Sequence, residues 1–173
     1  MLKIDYAESE NVGAGGEYSE VYRSFANIKG KLTNQDLVIL AKNSSNSLRF
    51  YSCLELIHRN DNEIVNLYKY YRDYPLKMKY LNACLGSIEN VADLINQEYE
   101  NIFDIKKTLE LELAKLNNKE KEESSVYKEW QITLDDINKK LTSEFLQNFE
   151  QIRKLKKEFD EIDEWKAMQK LKK

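Results

Sequence analysis

Tyr74-Pro75-Leu76-Lys77-Met78-Lys79-Tyr80-Leu81-Asn82-Ala83-Cys84-Leu85-Gly86-Ser87-Ile88 is the stretch whose reading decides the fold. Proline removes a backbone donor and clashes one turn back, so Pro75 either ends the helix before it or kinks it. Apolar residues resume almost at once, at Leu76, Met78 and Leu81, which leaves no room for a loop and a reversal of the chain. On that ground the stretch reads as a kink in one continuous long helix. Gly86 weakens such a helix by about 1 kcal/mol relative to alanine.

Downstream, Leu81, Leu85, Ile88, Ala92, Ile95, Tyr99, Ile102, Lys106, Leu109, Leu113 and Leu116 fall alternately four and three apart. That is an a/d heptad seam with one lapse, at Lys106. A second seam runs through Tyr127, Trp130, Leu134, Ile137, Leu141, Phe145, Phe149, Ile152, Leu155, Phe159 and Ile162. Its four-four step from Leu141 to Phe149 predicts a local straightening or bend. The polar stretch Asn117 to Ser125 predicts the turn of an antiparallel hairpin. At a rise of about 1.5 Å per residue, each arm runs on the order of 50–70 Å.

Upstream, Tyr51, Leu54, Ile57, Ile64, Tyr68 and Tyr71 give Leu48 to Tyr74 a helical period, interrupted at Asp61. Asn43-Ser44-Ser45-Asn46-Ser47 is a turn or a weak, exposed section of a longer helix, because these side chains compete for their own backbone. Gly30 and Thr33-Asn34 mark a break, where Thr or Asn can cap the next helix. Val21, Tyr22, Phe25, Ile28 and Leu32 share one face before it. Residues 1–16 end in Gly13-Ala14-Gly15-Gly16. With no Gly-Lys-Ser/Thr ending and no buried strand before them, they read as a flexible leader rather than a phosphate loop. The expected architecture is all-α: a leader over 1–16, then an elongated three-helix antiparallel coiled-coil bundle with kinked long helices over 17–173.

Composition agrees with a helical chain. Of 173 residues 33% are charged, while there are 5 glycines and a single proline. The net charge of −3 favours neither nucleic acid nor anionic membrane in bulk, so any such binding must come from local clusters. Cys53 and Cys84 read as reduced core residues of an intracellular protein. No apolar run approaches the roughly 20 residues of a membrane span. The single histidine, His58, lies five residues from Cys53, a spacing that faces the two poorly on a helix. There is no Cys-x-x-Cys and no histidine pair. The carboxylates alternate with lysines at helical spacing, as on a solvated face. The expectation is therefore no enzyme, no metal and no cofactor. Tyr68, Tyr70, Tyr71 and Tyr74 read as helix packing rather than base stacking, since no basic groove accompanies them; no nucleic-acid partner is expected.

Lys106-Lys107 and Lys139-Lys140 lie about equally far from the turn near Lys121, so a hairpin brings them together. Arg153-Lys154 and Lys156-Lys157 form a second cluster. Both are either solvated flanks or contacts for lipid phosphates, each lysine contributing about 1 kcal/mol near an anionic surface. Tyr68, Tyr71, Ile95, Ile102, Trp130, Phe145, Phe149 and Trp165 give more apolar stripe than one hairpin partner covers, which predicts a dimer interface.

Several segments, in order, resemble the C-terminal BAR domain of retromer-type sorting nexins. Phe25-Ala26 and Leu32 are similar to the close of that domain's first helix, and Leu54-Glu55-Leu56-Ile57-His58 to the Glu-x-Leu-His part of its middle helix. Leu67-Tyr68-Lys69-Tyr70-Tyr71-Arg72-Asp73 is similar to the Leu-x-Lys-Tyr-Tyr segment further along. Leu134-Asp135-Asp136-Ile137, Glu144 and Phe149 resemble its last helix. The PX domain that precedes this domain in the family has no counterpart in these 173 residues. The resemblance implies a curved homodimer or heterodimer that binds or shapes phosphoinositide-bearing endosomal membrane from the cytoplasm in protein sorting. The alternative is a coiled-coil subunit of a tethering or scaffold complex with no direct lipid binding. Lys106 and Tyr99 at core positions are the kind of residue that specifies register and partner in such assemblies.

Overall fold

The computed structural model describes residues 5–116 and 124–171. Its chain is α+β, which corrects the all-α bundle: a four-stranded mixed sheet is combined with seven helices among the described residues. Strand β1 (Tyr6–Val12) and the short β2 (Glu17–Tyr18) form a hairpin. Helices α1 (Glu20–Lys29), α2 (Asn34–Asn43), α3 (Asn46–His58) and α4 (Glu63–Asp73) follow. A second hairpin, β3 (Lys77–Ala83) and β4 (Leu85–Asn90), then leads into α5 (Val91–Lys115). The chain ends in α6 (Ser125–Lys140) and α7 (Ser143–Leu171).

The stretch around Pro75 is where the expected fold fails. Helix α4 stops at Asp73; Tyr74 leaves helical geometry at φ −123° and ψ 77°, as the residue before proline prefers to do. Lys77-Met78-Lys79-Tyr80 then alternates out and in with a period of two: Met78 is buried, Lys77 and Lys79 are exposed. The spacing of Leu81, Leu85 and Ile88 mimics a heptad seam, yet these residues sit on two paired strands, with Leu81 opposite Gly86 and Lys79 opposite Ile88. The first arm therefore begins at Val91, not Leu81.

The sheet order is β2-β1-β3-β4. β1 and β3 are parallel, Tyr6 opposite Lys79 and Ala7 opposite Tyr80. A parallel pair needs a crossover, and α1 to α4 supply it. Residues 6–12, read as leader, thus form an inner strand, with Ala7 fully buried. Gly13 and Gly16 adopt φ of 73° and 65°, values that suit glycine and close the β1–β2 turn, where the Gly16 amide donates to the Gly13 carbonyl.

The helix between Leu48 and Tyr74 is also two helices: Asn60 takes φ 57° after α3, and α4 starts at Glu63. Thr33 does cap α2, in a reciprocal capping box with Asp36. Ser44-Ser45 makes the short turn between α2 and α3. Helix α3 is the centre of the core, burying Phe50, Tyr51, Cys53, Leu56 and Ile57 against neighbours that include Phe25, Ala7 and Tyr71. The Tyr71 hydroxyl donates to the Ala41 carbonyl, and this satisfies an otherwise costly buried group.

The C-terminal arms are antiparallel. Lys106 meets Asn138, Phe103 meets Phe145, and Tyr99 stacks on Phe149, so the sequence advances on α5 as it retreats on α6 and α7. Most of the expected turn, residues 117–123, lies outside the described residues. The four-four step coincides with a full break: α6 ends at Lys140, and the Thr142 hydroxyl accepts the Phe145 amide to cap α7.

Candidate docking surface

The helices cover one face of the sheet. On that face Ala7 and Met78 are buried, and the Tyr80 ring meets Phe50 edge-on at 5.2 Å. The other face is open. Tyr6, Lys79, Leu81, Gly86 and Ile88 line a shallow groove there of about 420 Å³. β4 is the sheet edge beyond β3, and its large apolar side chains are the most exposed apolar ones in the sheet, Leu85 at 78% and Ile88 at 69%. An edge strand offers a row of unpaired amides and carbonyls, which proteins usually blunt with lysine, proline or a bulge. Leu85-Gly86-Ser87-Ile88-Glu89-Asn90 has none of the three, and its one charge is Glu89, opposite the buried Met78.

The geometry sorts the expected membrane contacts differently. Lys106 reaches Asn138 at 2.5 Å, so the two hairpin pairs do lie at one level. Yet six of the eight cations pair with an acid on their own helix. Lys106 binds Glu110 at 3.4 Å, Lys139 binds Asp136 at 3.0 Å and Arg153 binds Glu150 at 3.0 Å. Lys154 lies 4.0 Å from Glu158, Lys156 lies 2.8 Å from Asp160 and Lys157 lies 3.9 Å from Glu161. Lys107 and Lys140 are exposed.

The expected dimer interface is largely internal. Tyr68, Tyr71, Ile95, Ile102 and Phe145 are buried in the chain's own core, and Phe149 packs against that core between Tyr99 and Phe103. Trp130 is half-buried on α6. Of the eight, Trp165 alone stands well exposed, beside Ile162 on α7. These residues serve the fold of one chain because the sheet and the α1 to α4 crossover supply the covering surface that two long arms alone would lack. β4, the surface that does remain open, was hidden in the sequence by its false heptad spacing.

A second concavity, of about 440 Å³, lies between β1, α3 and α5. His58 Nε2 meets Glu98 Oε1 there at 3.0 Å, with Glu8, Glu10 and Asp104 nearby. Ser9 is committed, its hydroxyl donating to the Asn11 carbonyl at 2.6 Å and accepting from the Ala83 amide at 2.9 Å. Cys53 is fully buried, and burial pushes its thiol far above the ordinary range, so it is inert. Among the described residues no three His, Cys, Asp or Glu side chains are placed to hold a metal ion, and no helix is long and apolar enough to cross a membrane. No family model matches the chain, and no curated protein or solved structure is significantly similar to it.

Proposed function

We propose that this chain is a non-enzymatic scaffold subunit that engages other protein chains and adds no lipid affinity of its own. The observation that carries the reading is the pairing of six candidate cations with acids one turn away. A lysine near an anionic surface contributes about 1 kcal/mol, but a carboxylate held within one turn of it cancels most of that attraction. The open sheet face and the exposed β4 edge supply the contact surface that a scaffold needs. The test is co-sedimentation with vesicles of phosphatidylserine and a phosphoinositide at low salt, where such attraction is least screened. The protein is expected to stay in the supernatant. Pelleting that disappears on Lys107→Glu with Lys140→Glu would overturn the reading and restore a membrane role.

A further inference from the structure

The concavity between β1, α3 and α5 differs from the rest of the surface in how its charges are matched. Its floor is apolar, made by Leu54, Ile102 and the Tyr80 ring, with Ile105 half-exposed beside them. Its carboxylates are Glu8, Glu10, Glu98 and Asp104, and among the described residues no lysine or arginine lines it. Glu8 accepts the Ser19 hydroxyl and Glu98 meets His58. Glu10 and Asp104 are exposed and make no ion pair among the described residues.

Elsewhere in this chain a ring beside a carboxylate already holds an arginine. Arg72 lies 5.0 Å from the centre of the Phe159 ring and 3.2 Å from Asp160. Arg153 lies 5.5 Å from the Phe149 ring and 3.0 Å from Glu150. Arg23 lies 5.1 Å from the Tyr18 ring and 2.8 Å from Glu20. In the cleft, Tyr80 and Glu98 repeat the arrangement: burial and then the Glu98 charge push the Tyr80 phenol up to about 12. No guanidinium of this chain serves that pair.

We infer that the cleft docks an arginine-bearing segment of a partner protein, with an apolar side chain of that segment on Leu54, Ile102 and Ile105. Opposite charge selects the partner: a basic segment meets four carboxylates and no competing cation. A guanidinium suits the site better than an ammonium, because its plane stacks on a ring while its fork binds a carboxylate. A metal ion does not suit it, since among the described residues no three acidic, histidine or cysteine side chains converge on one point. The inference rests on the scaffold reading and names the chemistry of the partner. A chain that ignores both vesicles and the peptide below would sink the docking and leave the scaffold reading standing.

The probe is a capped, fluorescently labelled pentapeptide of alternating arginine and leucine, titrated with the full chain and read by anisotropy. Saturable binding is expected at low salt, weakening as salt rises. Glu10→Gln with Asp104→Asn is expected to weaken it at least about tenfold. The melting temperature should not fall, because neither carboxylate has an ion partner to lose. Asp136→Asn with Glu150→Gln makes the same change in net charge away from the cleft and is expected to leave binding as it was. A peptide with serine in place of leucine is expected to bind several-fold more weakly, since it leaves the apolar floor uncovered. Absence of saturable binding at millimolar protein overturns the proposal, as does a cleft variant that binds like wild type. So does an equal loss in the Asp136 and Glu150 variant, or equal binding of the serine peptide, because either makes net charge the cause.

Discussion

The Tyr51 hydroxyl accepts the Glu8 amide at 2.8 Å and donates to the Glu8 carbonyl at 2.9 Å. A side chain from α3 thus stands in for a missing strand. β2 pairs with β1 only at Asn11 and Val12, so the outer edge of β1 near Glu8 has no ladder partner. Tyr51 is buried and ringed by Tyr22, Phe25 and Phe50, which fix it in place. Tyr51→Phe keeps that packing and strands two backbone groups. The expected loss is about 1–3 kcal/mol in urea unfolding, with faster hydrogen exchange at the Glu8 amide. Unchanged exchange at Glu8 would mean that β1 is held by β3 alone.

A pH dependence is built around Glu55. Its carboxylate meets Arg59 at 2.9 Å and Lys29 at 3.2 Å, while Arg59 also donates to the carbonyls of Lys29 and Leu32 and so clasps the α1–α2 connection to α3. Burial alone would raise the Glu55 pKa, but Arg59 and Lys29 outweigh it and hold the group below its ordinary value. A depressed folded-state pKa contributes stability that is present above the unfolded value of about 4.3 and is lost as pH falls through the folded one. Glu55→Gln should therefore cost about 1–2 kcal/mol at pH 7, and less near pH 3. Urea midpoints at the two pH values check this; an equal gap at both would remove the carboxylate charge as the cause.

The helical pattern was legible wherever the apolar period was long and uninterrupted. The seam from Ala92 to Leu113 follows directly from it, whereas Phe145 and Phe149, expected at a dimer interface, pack on Tyr99 within the chain. Thr33 was legible from capping chemistry, and Asn43 to Ser47 as a turn or a weak helical section, of which the structure takes the turn at Ser44-Ser45. The sheet was not, because β1 is mostly polar, Tyr6-Ala7-Glu8-Ser9-Glu10-Asn11-Val12, and the β3–β4 turn carries neither glycine nor proline. Ala83 takes φ 50° in the β3–β4 turn, where Asn-Gly would have announced a hairpin. The Lys77-Met78-Lys79-Tyr80 alternation was the available clue, outweighed by the spacing of Leu81, Leu85 and Ile88. Read as helix, that segment leaves Tyr68 and Ile95 without the neighbours that bury them in this chain, and it hides the exposed β4 edge.

Phe145 separates a core role from an interface role. It is buried with its ring 4.8 Å from Tyr99 and 6.0 Å from Phe103. Phe145→Ala leaves a cavity between α5 and α7, so a loss of about 3–5 kcal/mol is expected. Denaturant unfolding at two protein concentrations reads it. A core role predicts the same loss at both, whereas a loss that shrinks on dilution would place Phe145 between chains after all.

Arg72 anchors the long C-terminal helix. Only 11% of its side chain is exposed; it lies 3.2 Å from Asp160 and 3.1 Å from Asp163, and its guanidinium sits 5.0 Å from the centre of the Phe159 ring. Asp93 on α5 approaches at 4.0 Å, so one cation joins α4 to both α5 and α7. Arg72→Met keeps the apolar stem and removes the charge that three carboxylates share, leaving Lys156 beside Asp160 and Lys166 beside Asp163 to offset only part of their repulsion. A loss of about 1–3 kcal/mol is expected, with hydrogen exchange quickened around residues 155–163 and unchanged in the core of α3. Arg72→Lys should recover only part of it, because a single ammonium cannot bridge two carboxylates and stack on Phe159 at once. High salt should narrow the gap between Arg72→Met and the wild type by screening the repulsion among Asp93, Asp160 and Asp163. Exchange in α7 that is indifferent to both substitutions would show that Leu155 and Phe159 hold the helix by packing alone.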